Sequence, residues 1–342
     1  MTTEKAATPD VEQFWAEFSK IDAKLLDCVD VNLAVIIARR GVSDVRTPFA
    51  AEWHFDILEC DGLITPTTSR RPIAERVRRT TGLRMVRDHL AGRTLTEVLN
   101  GFSTLKFPVL CYADAFYLPW SPYAGNEHVE HSFLVAGVPS GSREFRVADA
   151  YSNLTEWGLA TPAVQVVSVA SVERAMMFLS TSMAGTIYYF DDQKQEDMTF
   201  DLIEQLVENA HAVSALPHQE KMRRYSNFHQ ERSHDLVHMR SFVLGTWLAA
   251  RSRKLHHLWL SDINKIFPYL MPTGFIDQFH TDVVEVWDTL QENAYIQSRR
   301  VARGRSASTG IFETLGMTLA ANEARLAAAL DTHLVRFTNV DT

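Results

Sequence analysis

The chain has 342 residues, 46% hydrophobic and 22% charged, enough for one large core or two smaller ones. A formal net charge of −8 excludes the basic excess of a nucleic-acid binder, and no apolar run reaches the roughly 18 residues needed to span a bilayer. The three cysteines, Cys28, Cys60 and Cys111, form no CxxC pair, which excludes a disulfide framework; the start MTTEKAATPD lacks an apolar signal core, so a cytoplasmic protein with free thiols is expected.

In chain order, Thr8–Ile21 reads as a helix opened by Pro9 or Asp10, with Val11, Phe14, Trp15 and Phe18 at helical spacing. Cys28–Arg40 is an apolar helix with Gly41 placed as its C-cap. HFDIL, residues 54–58, is a short strand candidate, and Pro72–His89 reads as a basic helix. Thr94–Leu105 is a further helix. The period then changes. Phe107–Tyr112, His131–Val138 and Glu144–Ala148 read as strands, the last two joined by a hairpin turn over SGSR. Ala163–Val169 adds a strand and Val172–Ser180 a helix. DDQKQED, from Asp191, is a polar connector. Beyond it the helical period dominates: Phe200–Ala215, Gln219–Leu255 with a break, Ile276–Arg299 and Gly310–Leu330. An α+β domain over 1–195 and a mostly helical one over 196–342 are expected.

A cysteine nucleophile acts as a thiolate, which a helix N-terminus and a nearby imidazole both favour. Cys111 lies inside an apolar strand, so it reads as a core residue. Cys60, in ECDG, has no base in view. Cys28 follows Leu26–Asp27 and opens a helix, which places its sulfur near N-terminal amides.

His131 stands just before SFLVAGV, at the mouth of one strand, and Asp149 closes the next, FRVAD. An antiparallel hairpin brings the two to one sheet edge. There the carboxylate can orient the imidazole, and Asn serves the same role in such sites, so Asp149→Asn is expected to cost less than His131→Ala. His128 is the rival base, as a substrate contact or a solvated residue. HVEH lacks the three or four converging ligands that zinc requires, and Glu231, His234 and His238 read as a solvated helix face, so no metal is expected.

LLDCVDVNLAVIIARRG, FPVLCYADAFYLPWSPY, EHVEHSFLVAGV and FRVADAY follow in an order that resembles the butirosin biosynthesis protein H-like family, a papain-like cysteine acyltransferase fold, over about residues 20–155. The resemblance implies Cys28 as nucleophile, His131 as base and Asp149 as orienting acid. It implies Asp114 and Tyr117 as residues lining the site. The family often has His before its nucleophile where this chain has Asp27, a charge that disfavours thiolate unless it caps the helix. The oxyanion donors would be the Cys28 backbone N–H and a second group, with Asn32 one option.

The function this implies is transfer of an acyl or aminoacyl group from a carrier-protein thioester, through a Cys28 acyl-enzyme, to an amine or other small-molecule acceptor in specialised metabolism. The partner is an acyl carrier protein or peptidyl carrier domain, and the only cofactor is the phosphopantetheine on that carrier. SRRPIAERVRR, residues 69–79, is a basic run that could receive an acidic carrier. The alternatives are a cysteine peptidase or amidase, and a non-catalytic helical binding protein on a degenerate fold.

Overall fold

The computed structural model describes residues 11–22, 25–60, 62–101, 108–137, 143–191, 200–305 and 310–338. In chain order these give helices α1 (Val11–Phe18), α2 (Cys28–Arg39) and α3 (Thr47–Ala50), strands β1 (Asp56–Cys60) and β2 (Leu63–Thr67), helix α4 (Ile73–Thr81), strand β3 (Met85–His89) and helix α5 (Leu95–Gly101). Strands β4 (Val109–Asp114), β5 (Glu130–Gly137), β6 (Glu144–Asp149), β7 (Asn153–Thr155), β8 (Gly158–Ala160) and β9 (Ala163–Ser168) follow, then helix α6 (Val169–Met177) and strand β10 (Thr186–Phe190). The rest is helical: α7 (Leu202–Ser214), α8 (Leu216–Glu231), α9 (Leu236–Ile266), α10 (Phe275–Phe279), a π-helical turn (His280–Val284), α11 (Glu285–Val301) and α12 (Ile311–Thr338). The chain is thus mixed helix and sheet.

It divides into two compact units, Met1–Pro48 with Ile73–Thr199, and Phe49–Pro72 with Phe200–Thr342. The last boundary, 199/200, stands four residues from the expected 195/196. The excursion of residues 49–72 into the helical unit was not expected.

Six strands of the first unit make one antiparallel sheet in the order β3-β10-β4-β5-β6-β9. The central β4 is buried along its whole length. Its alternate residues Val109, Cys111 and Ala113 join Phe133, Val135, Phe145 and Val147 in a core closed by Val172, Ala175 and Met176 of α6 and by Leu95, Val98 and Leu99 of α5. Leu110, Leu134 and Ala148, on the other face, are equally buried, and α2 packs against β5. Helix α2 is buried from Asp30 through Ile37, as its nearly all-round apolar sequence requires. It ends with Gly41 at φ +84°, whose N–H meets Ala38 O while Val42 N–H meets Ile37 O.

The expected helix over Pro72–His89 is two elements. Gly82, at φ +71°, stops α4, and the residues after it form edge strand β3 against β10. Strand β10 and the small β7–β8 hairpin had no counterpart in the sequence reading. The expected SGSR turn and most of the DDQKQED connector lie outside the described residues.

In the second unit α12 packs on α7 and α8, and α9 on α11. The β1–β2 hairpin lies on α9, so closely that a Cβ on Gly245 would stand 2.8 Å from Pro66 Cδ. Glu323 of α12 is fully buried. Its Oε1 accepts from Arg253 Nε (2.9 Å) and Trp287 Nε1 (2.9 Å), and its Oε2 from Arg253 Nη2 (3.0 Å), Trp53 Nε1 (3.0 Å) and His218 Nε2 (3.1 Å). The basic run 69–79 is no free landing patch. Arg71 pairs with Glu52 (2.8 Å) and Glu208 (2.7 Å), Arg70 bonds Glu208 O and Asn209 Oδ1, and Arg76 bonds Pro48 O.

Candidate active site

Cys28 is the first residue of α2, and Asp27 is its N-cap, with Oδ1 accepting from Asp30 N–H at 2.9 Å. The side chain of Asp27 is therefore spent on the helix end, as the capping alternative required. Cys28 is half-buried, Cys60 exposed and Cys111 buried. Cys111 sits in β4 between Phe133 and Ile187, its Sγ nearest Val109 O at 3.9 Å, and burial pushes its thiol well up. A neutral, enclosed thiol of this kind is no nucleophile.

His131 is the second residue of β5 and Asp149 the last of β6, neighbours in the sheet. Their side chains are 5% and 6% exposed, and His131 Nε2 meets Asp149 Oδ2 at 2.6 Å. The Cys28 side chain also reaches the imidazole, and both its charge and its hydrogen bonding favour the protonated ring. Burial opposes charge on His131, but the Asp149 carboxylate and the Cys28 sulfur beside it outweigh burial and hold its pKa well above the usual histidine value. Burial likewise opposes charge on Asp149, and His131 with the Tyr151 and Trp120 hydrogen bonds outweighs it, holding the carboxyl below its usual range.

Asp149 is fixed by two further residues that the sequence reading did not assign to it. Trp120 Nε1–H donates to Oδ2 at 3.0 Å, and Asn32 Nδ2–H donates to Oδ1 at 3.2 Å, where Tyr151 N–H also donates at 3.1 Å. Asn32 corrects an expectation. Its Nδ2 is shared among Cys28 O (2.9 Å), Ser132 O (2.9 Å) and Asp149, its Oδ1 accepts from Ala150 N–H (3.0 Å), and it is fully buried. No proton of that amide is left for an oxyanion. Asn32 instead ties the first turn of α2 to the starts and ends of the strands that carry the pair. The signal for this was faint: a polar residue one helical turn after Cys28 in an otherwise apolar run.

Three phenols stand near enough to feel the Cys28 charge. Tyr112, Tyr123 and Tyr151 are all raised, by burial first and with the Cys28 charge contributing, so each keeps its proton. The Tyr151 hydroxyl accepts from Asn153 Nδ2 at 2.8 Å, and its ring meets that of His131 edge-on at 5.3 Å. The hydroxyls of Tyr112 and Tyr123 have no hydrogen-bond partner among the described residues.

His128 stands apart from the His131 pair. Its side chain is 64% exposed, Nδ1 meets Asp114 Oδ2 at 2.6 Å, and its ring stacks on Phe116 at 4.3 Å. Asp114 Oδ1 caps the short 3-10 turn Ala115–Tyr117 by accepting from Phe116 N–H at 3.0 Å, so both its oxygens are engaged by protein. Tyr117 lies between the rings of His128 (6.1 Å) and Phe178 (5.1 Å). Among the described residues no group of His, Cys, Asp and Glu converges as a metal site, and no helix is long and apolar enough to cross a membrane.

No protein-family model and no curated protein matches the chain. The chemistry of the site rests on its geometry: a thiol at a helix start, an imidazole against it, and a buried carboxylate holding the imidazole's far nitrogen. Such a set can form and break a covalent acyl intermediate.

Proposed function

We propose that this chain is a cysteine-dependent acyltransferase on a papain-like fold, taking an acyl or aminoacyl group from a carrier-protein thioester and passing it to an amine. The observation that carries the reading is His131, bonded to Cys28 on one side and to a fully engaged Asp149 on the other. The sequence resemblance points the same way. Three free cysteines suit a reducing cytoplasm.

In the first half-reaction Sγ of Cys28, its proton already held by His131, attacks the thioester carbonyl. The carbonyl C–S bond of the donor breaks, and the departing phosphopantetheine thiolate takes the proton from His131. In the second, the amine attacks the Cys28 thioester, His131 accepts the amine proton, and the bond to Cys28 breaks as the proton returns to sulfur. One acyl–sulfur bond is exchanged for another and then for an amide, so no ATP or metal is needed. Between the steps the oxyanion would be met by the Cys28 backbone N–H, an unfilled donor of the first helical turn, and by the Tyr112 or Tyr123 hydroxyl.

Intact-mass spectrometry after exposure to an acyl-pantetheine thioester or acyl carrier protein tests this. The adduct is expected on Cys28, absent in Cys28→Ala and retained in Cys60→Ala and Cys111→Ala. His131→Ala should slow acylation at least a hundredfold and His128→Ala far less. Peptide cleavage without a thioester-derived adduct would turn the reading to a peptidase or amidase. An inert Cys28 would turn it to a binding protein on a degenerate fold.

A further inference from the structure

A hollow opens in the sheet-bearing unit, between α6 and the loop that leaves β3. Its volume is about 600 Å3, within the range of roughly 300–1,000 Å3 typical of small-molecule sites. Leu90, Leu95, Ala170, Met176, Met177 and Ala184 give it apolar walls, and Arg93, Glu173 and Arg174 add charge to its lining. Leu95 and Met176 form its buried floor, whereas Met177 is 73% exposed at its mouth. The wall is firmly built: Leu90 N–H donates to Gly185 O at 2.9 Å, His89 Nε2 meets Ala184 O at 2.8 Å and His89 Nδ1 accepts from Ala91 N–H at 2.9 Å. A Cβ on Gly185 would come within 3.2 Å of the His89 ring, so the turn admits no side chain there.

Strand register sets this hollow beside the reactive end of the sheet. Ile187 pairs with Cys111, and continuing that ladder by two residues places Gly185 level with Ala113; Ala113 in turn pairs with His131. The hollow's Gly185 wall and His131 therefore stand at the same sheet end, two strand spacings or about 10 Å apart. The ground between them is aromatic. Arg174, which lines the hollow, has its guanidinium 5.2 Å over the Tyr117 ring and 5.7 Å from that of Phe178; Tyr117 leads on to His128, and the segment carrying His128 runs directly into β5 and His131.

The geometry points to this hollow as the site that holds the apolar tail of the acyl group whose carbonyl is bound at Cys28, making the donor a medium-length fatty acyl thioester. This rests on the acyltransferase reading above. A chain of roughly eight methylenes covers the about 10 Å between His131 and the Gly185 wall, and the apolar walls supply a gain of roughly fourfold for each methylene withdrawn from water. Short acyl groups would leave the hollow unfilled and lose that gain.

Two measurements test it. The first is fluorescence titration with 11-(dansylamino)undecanoic acid, on the full chain and on Ala170→Trp and Met177→Glu. One variant fills the hollow from the α6 wall and the other charges its mouth, and both replaced side chains are outside the core. The second is the rate of Cys28 acylation by acetyl-, hexanoyl- and dodecanoyl-pantetheine. The wild type is expected to prefer dodecanoyl over acetyl at least tenfold. Each variant should weaken probe binding tenfold or more and abolish the preference, with the acetyl rate unchanged within twofold. Acylation of Cys28 with no chain-length preference, or probe binding indifferent to both substitutions, would overturn the assignment of the hollow and leave the transfer chemistry standing. Probe binding sensitive to both substitutions, with no Cys28 adduct from any thioester, would overturn the transfer chemistry.

Discussion

Asp149 accepts four hydrogen bonds: from Trp120 Nε1–H, Tyr151 N–H and the Asn32 amide, which can only donate, and from His131 Nε2, which donates while the imidazole is charged. An asparagine there must point its NH2 at two of those donors. Asp149→Asn is therefore expected to destabilise the protein by roughly 2–4 kcal/mol, through two buried donors left unmet, besides slowing Cys28 acylation. This adds a stability cost to the loss of turnover, milder than that of His131→Ala, that the sequence suggested. Chemical denaturation of the variant checks it; a midpoint equal to wild type would show that the site can reorganise. The pair also fixes a pH dependence. His131 has its folded pKa raised above the unfolded value near 6.5, so its contribution is complete below about pH 6.5 and is lost as pH climbs through the raised value. Asp149 is lowered, so its contribution is present above about pH 4 and is lost as pH falls through the lowered value. The stability margin of wild type over His131→Gln, from urea unfolding at a series of pH values, should thus be widest near pH 5–6 and shrink toward pH 9. A margin that widened toward pH 9 would mean a neutral ring in the folded protein. Cys28, His131 and Asp149 were legible because strand mouths and helix starts leave marks in a sequence. Asn32 and Trp120 were not assigned to Asp149, because their bonds to it span 117 and 29 residues of chain and no local period records them.

At the scale of elements, α2 decides where the thiol stands. Asp27 holds its first turn, and replacing it separates two effects that the sequence left entangled. Asp27→Ala removes the cap and should cost about 1 kcal/mol, whereas Asp27→Ser keeps a capping oxygen and should cost a few tenths. Only the second isolates the charge: with one carboxylate fewer beside the sulfur, iodoacetamide should label Cys28 severalfold faster in Asp27→Ser than in wild type at pH 6. Equal rates would show that the Asp27 carboxylate is turned wholly to the helix amides. Periodicity located α2, β4, β5 and β6 within a few residues, since each is long and apolar on at least one face. It failed at Pro72–His89, where the basic, amphipathic α4 runs into an edge strand that carries Arg87 and Asp88 and so reads like more of the same helix. It failed also at TIYYF, a five-residue strand set between polar stretches, too short for its pattern to be distinguished.

For the molecule as a whole, the helical unit is organised around Glu323. Burial opposes its charge, but Arg253 and the other donors outweigh burial and keep the carboxyl far below its usual range. Glu323→Gln would leave the fully buried Arg253 without its counter-charge and set an amide NH2 among donors. A loss of about 3–5 kcal/mol is expected in thermal or chemical unfolding, with the Cys28 adduct still forming in whatever fraction stays folded. A wild-type unfolding midpoint in the variant would show the network to be dispensable. The mostly helical second half was legible from its sustained period; its recruitment of residues 49–72 was not, because a hairpin's partner elements leave no trace in the hairpin's own sequence.

That recruitment has a consequence during synthesis. Residues 49–72 leave the ribosome before most of the sheet-bearing unit exists, and the helices they pack with begin only at residue 200. At roughly 5–20 residues per second the segment waits on the order of ten seconds for α7, and longer for Glu323 on α12. Through that interval Trp53, Phe55 and Ile64, all buried in the finished protein, have no partners to cover them. The nascent chain thus carries an apolar stretch that a holding chaperone would occupy, and a message truncated before α9 yields a polypeptide whose early hairpin never finds its place.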